Sequence, residues 1–367
     1  MRAQKYALAR DISYFSRIFS HFLLQVAQIQ DIILTWYDQF QRDLPWRRTN
    51  DAYFIWLSEV ILQQTRVAQG MSYYQKFIQN YPTVNQLALA EESEILNNWQ
   101  GLGYYSRARN LHKTAQLVVK KHEGVFPKTY VELIQLKGIG PYTAAAVASF
   151  SSNEHKAVVD GNVYRVLSRI FDIATPIDSS QGKKEFATLA ESLLPMNKAG
   201  VFNQAMMEFG ALQCVPLNPN CELCPVQEKC LAFANKTITE RPIKEKKTKT
   251  RNRFFTYYLA PQNGKIVLEK RTSKDIWQSL YQFPMQEFES EKEQESAIKK
   301  QKVNFVSKTY KHILSHQILF TRFVFVEKLP EINENQIEIA IPAFGDYPVP
   351  RLIEKFWEEN QKLLSNE

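Results

Sequence analysis

From Ile32 to Phe233, apolar residues recur at the three- and four-residue spacing of amphipathic helices, broken by short Gly-bearing turns and with almost no alternating segment. This stretch predicts an all-α unit. Beyond a charged segment the period drops to two, over Phe254 to Leu259, over Lys265 to Leu268 after an Asn263-Gly264 hairpin signal, and over Ile318 to Val326. Helical windows at Glu289 to Lys300 and Arg351 to Gln361 interrupt these strands, so the second unit is expected to be α+β. The pattern divides the chain into an extension over 1–30, a helical domain over 31–235, a basic linker over 236–251 and an α+β domain over 252–367. The extension, with Phe15, Ile18, Phe19, Phe22, Leu23 and Leu24, reads as a further amphipathic helix. A transit peptide is the alternative, because Asp11 is its only acid beside Arg2, Lys5, Arg10 and Arg17.

At 367 residues and 44% apolar content the chain can bury a core in each unit. No window approaches the eighteen or so consecutive apolar residues of a membrane helix, and the mean hydropathy is −0.36, so a membrane-spanning role is excluded. A net charge of +8 and a pI near 9.1 favour a polyanionic partner. Lys236 to Arg253 alone holds five Lys and three Arg against two Glu, a local +6, so a nucleic-acid face would be a patch rather than a general field.

All four cysteines, Cys214, Cys221, Cys224 and Cys230, fall in one Pro-containing stretch. Disulfides are not expected in a chain of this size with a core and no secretion signal. Four converging thiolates can hold a tetrahedral zinc or a four-iron cluster. Zinc ribbons usually present two separated Cys-x-x-Cys knuckles; the single Cys-x-x-Cys flanked at unequal distances here suits the corners of a cubane, a 4Fe-4S cluster.

Gly is scarce, so the pairs Gly101/Gly103 and Gly138/Gly140 mark places where backbone turns tightly or approaches something closely. Leu136-Lys137-Gly138-Ile139-Gly140-Pro141 lies between a helix expected to end near Leu136 and one starting at Pro141, a helix-hairpin-helix signature. Its backbone N–H groups and helix N-terminus can grip a DNA phosphate, with Lys137 in phosphate contact. About twenty residues on, Asp160 precedes a helix as an N-cap and is also placed to face a sugar. Glu59 sits in the apolar helical stretch Trp56 to Thr65, where partial desolvation raises its pKa and suits it to general-acid work.

Leu44-Pro45-Trp46-Arg47, Ser58 to Thr65, Gly101 to Asn110, Val159-Asp160-Gly161-Asn162-Val163 and the cysteine spacing together resemble the adenine DNA glycosylases of the MutY type, within the helix-hairpin-helix, iron-sulfur glycosylase superfamily. The match runs from about Ile32 to Lys236 and more weakly onward. The resemblance implies an enzyme that flips adenine mispaired with 8-oxoguanine or guanine out of duplex DNA and cleaves its N-glycosidic bond. It implies that Glu59 protonates the adenine, that Asp160, kept ionised, stabilises or attacks the cationic sugar, that Asn162 supports Asp160, and that Tyr142 packs against the same centre. Endonuclease III relatives carry a Schiff-base Lys where this chain has Tyr142, which implies a monofunctional glycosylase. Gln64 is then the wedge, Thr65, Leu102 and Tyr104 surround the 8-oxoguanine, at least one of Tyr104 and Tyr105 faces DNA, and Trp46 and Arg47 line the adenine pocket. The implied protein is a cytoplasmic, nucleoid-associated monomer.

Trp277 to Pro284 resembles the Nudix-like domain of the same glycosylases, but the acidic metal-binding box of a Nudix hydrolase is missing, so this domain is expected to bind rather than hydrolyse. Lys311 to His316 matches the oxidised-guanine sensor loop, with Leu314 where a Phe is common. Ser315 is the expected recognition residue; His316 is either a contact or a strand-edge residue.

Overall fold

The computed structural model describes residues 24–245, 250–329 and 334–364. Most of the extension (1–23) and the middle of the basic linker (246–249) lie outside the described residues. Two compact units emerge, and neither is continuous in sequence. One takes the described residues through Glu59 together with those from Phe126 to the linker; the other takes Val60–Val125 and the described residues after the linker.

The first unit is helical. A helix over 24–40 places Val26, Ile29, Ile33, Trp36 and Tyr37 in a core shared with the helices Gly161–Ile170, Ser180–Ser192 and Ala199–Leu212. Trp36 packs edge-on against Phe209 with 5.0 Å between centroids. Helical packing therefore starts inside the stretch assigned to the extension. The helix Pro141–Ser152 is nearly all small residues, and eight of its twelve are buried, so its neighbours can approach closely. Gly210 serves the same purpose on Ala199–Leu212: an added Cβ there would lie 2.6 Å from Asn162 Cβ. The start of the linker also packs on this unit, with Ile177 N–H donating to Ile243 O.

The second unit combines helices Val67–Asn80, Val84–Leu89, Glu92–Asn98 and Ser106–His122 with the strands. These are β1 (Arg251–Leu259), β2 (Lys265–Lys270), β3 (Tyr281–Gln282), β4 (Met285–Phe288), β5 (Val303–Val306), β6 (Tyr310–Ile313), β7 (Gln317–Val326) and β8 (Gln336–Ala340). One sheet runs β4-β1-β7-β5 with β6 also on β7, and the other runs β3-β2-β8. β1 and β7 are parallel, pairing Arg251 with Gln317 through Leu259 with Phe325. Alternation points Phe255, Tyr257 and Leu259 into the core, where the helix Arg351–Leu364 lays Phe356 flat on Phe323 at 3.7 Å. The helical windows expected in this half form as Glu291–Lys299 and Arg351–Leu364. The Asn263-Gly264 turn does form, with both residues left-handed, but β1 and β2 then diverge into different sheets, so no hairpin ladder results.

Candidate functional site

Glu59 lies in the last turn of the helix Ala52–Ile61, buried beside Ile55 and Trp56. The Tyr142 hydroxyl, one residue into the helix that follows the Gly140-Pro141 start, donates to Glu59 Oε2 at 2.7 Å. Burial pushes the Glu59 carboxyl up from 4.5 to about 7, with the nearby Asp160 charge adding to the rise and the Tyr142 hydrogen bond and Arg47 opposing it. Asp160 caps the helix Gly161–Ile170, accepting from Val163 N–H at 2.8 Å, while Asn162 Nδ2 donates to its other oxygen at 2.8 Å. Burial raises the Asp160 pKa too, against those hydrogen bonds and the Arg165 charge.

Three further residues complete this region, and none was singled out from sequence. Arg165 donates to Asn162 Oδ1 (2.9 Å), Gly210 O (2.6 Å) and Cys214 O (2.7 Å), fixing Asn162 from behind. Glu208 takes a two-pronged hydrogen bond from Arg42 (2.8 and 2.6 Å) and another from Arg47 Nη2 (2.8 Å). Burial alone would raise Glu208, but the two guanidinium partners outweigh it and hold the carboxyl at about 2. Trp46 is buried in the short turn Pro45–Arg47, and Arg47 lies over the Tyr37 ring. The only sequence signal for Glu208 is an acid in the otherwise apolar run Ala205 to Leu212.

Cys214, Cys221, Cys224 and Cys230 line one small hollow walled by Ile170, Phe209, Val226 and Phe233. Among the described residues no three His, Cys, Asp or Glu side chains are gathered closely enough to hold a single metal ion. Burial pushes the Cys224 thiol up to about 11 and raises Cys221 and Cys230 as well, so four thiolates there need a cationic centre to offset the cost. Arg169, buried and also missed from sequence, lies 3.4 Å from Cys214 Sγ and donates to Val215 O and Pro216 O, while Cys230 Sγ donates to Arg169 O. Arg241, in the basic stretch that follows, is ion-paired with Asp172 at 2.9 Å.

The hairpin is built by buried Leu136 and Ile139, which leave Lys137 and Gly138 exposed between them and Gly140 exposed just after. Its first helix, Tyr130–Leu133, stops short of Leu136, and the remaining turn closes with Ile139 N–H on Leu136 O and Gly138 left-handed at φ 86°. Pro141 opens the next helix as expected.

In the second unit Gln64 is exposed and left-handed (φ 55°), and Thr65 beside it is half-buried. Tyr104 is likewise left-handed (φ 45°) and exposed, and its hydroxyl shares a hydrogen bond with Ser315 Oγ. Tyr105 points the other way, buried, with its hydroxyl on Val349 O, so one tyrosine of the pair is core and one is surface. A cleft of about 370 Å³ collects Leu102, Tyr104, Arg109, Trp277, Ser315 and His316, although the Leu102 side chain itself is buried. Ser315 and His316 sit at the exposed turn between β6 and β7.

Known proteins share this organisation. A family model described as HhH-GPD superfamily base excision DNA repair protein matches residues 57–195, and a NUDIX domain model matches residues 256–359. Adenine DNA glycosylase of Buchnera aphidicola subsp. Acyrthosiphon pisum is 33% identical over 334 residues, covering 91% of this chain and 90% of that protein. The human adenine DNA glycosylase is 43% identical over 217 residues, 57% of this chain and 40% of its own length. Among solved structures, a thermostable thymine-DNA glycosylase aligns with a TM-score of 0.55 and 30% identity, covering 58% of this chain and 99% of its own. An endonuclease III in a non-covalent DNA complex shares the fold at a TM-score of 0.51 and 21% identity, covering 58% of this chain and 97% of its own. With a relative matched along nine-tenths of both chains and both domain models in register, this chain belongs to the adenine DNA glycosylase family of base-excision repair enzymes.

Proposed function

We propose that this enzyme excises adenine mispaired with 8-oxoguanine or guanine in duplex DNA, hydrolysing the N-glycosidic bond as a monofunctional glycosylase and acting as a monomer. The observation that carries the reading is the buried Glu59 carboxyl, poised at about 7 and hydrogen-bonded by Tyr142 at 2.7 Å, with the Asp160 carboxylate near enough to add to its rise. A carboxyl half-protonated near neutrality is suited to donate a proton to the adenine ring, which then leaves as a neutral base. Asp160, with one oxygen tied to the Val163 amide and the other to Asn162, faces the positive charge that develops on the sugar as the bond breaks. Water adds at the anomeric carbon and gives its proton back to a carboxylate, so the enzyme returns to its starting state. Tyr142 leaves this centre without the amine that a Schiff base needs, and Lys137 lies in the exposed hairpin, where it suits a phosphate.

Gln64, Thr65, Leu102, Tyr104, Ser315 and His316 are read as the contacts to the duplex around the opposite base, with Gly138 and Gly140 on the backbone and Trp46 and Arg47 at the adenine. The donor chemistry of the hollow fits a 4Fe-4S cluster held by Cys214, Cys221, Cys224 and Cys230. When bound, the cluster would supply a structural tie and a cationic core that offsets the thiolates, in a loop otherwise held by Arg165 and Arg169. The test is to incubate the purified protein with duplexes carrying adenine opposite 8-oxoguanine, or thymine glycol opposite adenine, and treat half of each sample with alkali. Strand cleavage at adenine that requires alkali is expected. Alkali-independent cleavage at thymine glycol would move the protein to the endonuclease III activity instead.

A further inference from the structure

The guanidinium of Arg107 is buried in the second unit, and among the described residues no carboxylate pairs with it. Nη1 donates to the carbonyls of Val60 (2.9 Å), Ile61 (2.9 Å) and Gln63 (2.6 Å), and Nη2 to those of Leu102 and Gly103 (3.3 Å each). Thr65 Oγ1 lies within 3.5 Å of both nitrogens, and the guanidinium plane sits over the Trp99 ring at 5.0 Å. One planar group thus gathers the backbone of two turns about forty residues apart. Each turn then presents one residue other than glycine in left-handed backbone, Gln64 in the first and Tyr104 in the second, each directly after a carbonyl that Arg107 holds. The Arg107 N–H closes the second turn from the other side, donating to Tyr104 O at 2.9 Å.

Left-handed backbone at a residue other than glycine is strained and persists only where its surroundings enforce it. Arg107 supplies that enforcement for both residues at once. A positive charge against the last carbonyls of the helix Ala52–Ile61 is also favourable to the helix dipole, which explains how the charge is tolerated without an acid. Lys could bring the charge but not the planar fork that reaches two sides.

We infer that Arg107 is a positioning residue that sets the register between the Gln64 turn and the Tyr104 turn, and so governs how well the enzyme distinguishes 8-oxoguanine from guanine opposite the adenine. The inference rests on the reading above that Gln64 and Tyr104 contact DNA. Arg107 touches no base itself.

The test is single-turnover adenine release opposite 8-oxoguanine and opposite guanine, for the wild type, Arg107→Lys and Arg107→Met, with melting temperatures and with 2-aminopurine placed beside the mispair. Both variants should lower the ratio of the two rates by about tenfold, mainly through the 8-oxoguanine duplex, as expected when a contact is displaced by a fraction of an ångström. The 2-aminopurine fluorescence rise on binding should fall with it. A merely structural role would reduce both rates alike and leave the ratio alone, so an unchanged ratio in a folded variant overturns the inference. If both variants fail to fold, Gly103→Ala decides: its methyl meets open space, so it strains only the φ 70° backbone whose carbonyl Arg107 holds. The ratio should then fall in the same direction, and an unchanged ratio overturns the inference there too. A wild type that releases no adenine from either duplex counts against the proposed function instead, and the 2-aminopurine signal then decides for Arg107.

Discussion

Glu59 and Glu208 are the same residue type in the same unit, both almost fully buried, yet one carboxyl is pushed up to about 7 and the other held at about 2. Burial raises both. The partners differ: Glu59 has one phenol hydrogen bond and a second acid nearby, whereas Glu208 has two guanidinium groups against it. Depth therefore sets how strongly a carboxyl responds, and the charge of its partners sets the direction. The first arrangement suits the proton donor proposed above, the second a structural anion that fixes Arg42 and Arg47.

The largest effect expected from breaking this contrast is at Glu59. Glu59→Gln removes the transferable proton but keeps an oxygen that can accept from Tyr142, so adenine release should fall by about a thousandfold while duplex binding survives. The stability effect has the opposite sign. The folded-state pKa lies above the unfolded value of 4.5, so Glu59 destabilises the fold as pH rises between 4.5 and about 7, and fully beyond that. At pH 8 the glutamine variant should be about 3 kcal/mol more stable, with no gain near pH 4, as read from urea midpoints at the two pH values. An equal gain at both would show that Glu59 is not held protonated.

The residues that carry this contrast differ in how far sequence reveals them. Glu59, Asp160, Tyr142 and the cysteines stand in short local motifs whose chemistry can be read from neighbours. Glu208 lies more than 160 residues from Arg42 and Arg47, and only folding shows that its helix turns it toward them. Arg107 falls within a recognisable motif, yet the carbonyls it gathers come from another turn. The same distinction runs through the fold. The alternation of β1 and β7 is visible, but their parallel pairing across more than sixty residues is not, and β3 to β5 are too short to show a period. Charge counts mislead for a related reason: Arg241 pairs with Asp172, and Arg253 is buried between Glu287 and Asp275, so the linker offers DNA less than its local +6 suggests.

Glu208→Gln tests the other side of the comparison and should act mainly on stability. It leaves two guanidinium groups facing a neutral amide in a site where the carboxylate is 1% exposed, a loss of about 3 kcal/mol at pH 7. Because the folded pKa is depressed, the stabilisation from Glu208 is fully present above 4.5 and is lost as pH falls toward 2. Wild type and variant should therefore converge in urea stability as pH falls below 4.5. A constant difference down to pH 2 would place the effect in packing rather than charge.

The smallest change sharpens the comparison most, because it alters one hydrogen bond and no charge. Tyr142 donates to Glu59 Oε2 and so opposes the rise that burial imposes. Tyr142→Phe keeps the ring and removes the donor, so the Glu59 carboxyl should move above about 7. The acid must be protonated to act, so the single-turnover rate of the wild type should fall as pH rises through about 7, and the midpoint of that fall should lie up to about one pH unit higher in the variant. Above neutrality the variant would thus hold more of the proton donor while lacking a group that orients it, which predicts a lower plateau at pH 6 and a smaller deficit at pH 8.5. A midpoint that moves downward would mean that the phenol favours the neutral carboxyl, and that Glu59 is raised by something other than its burial.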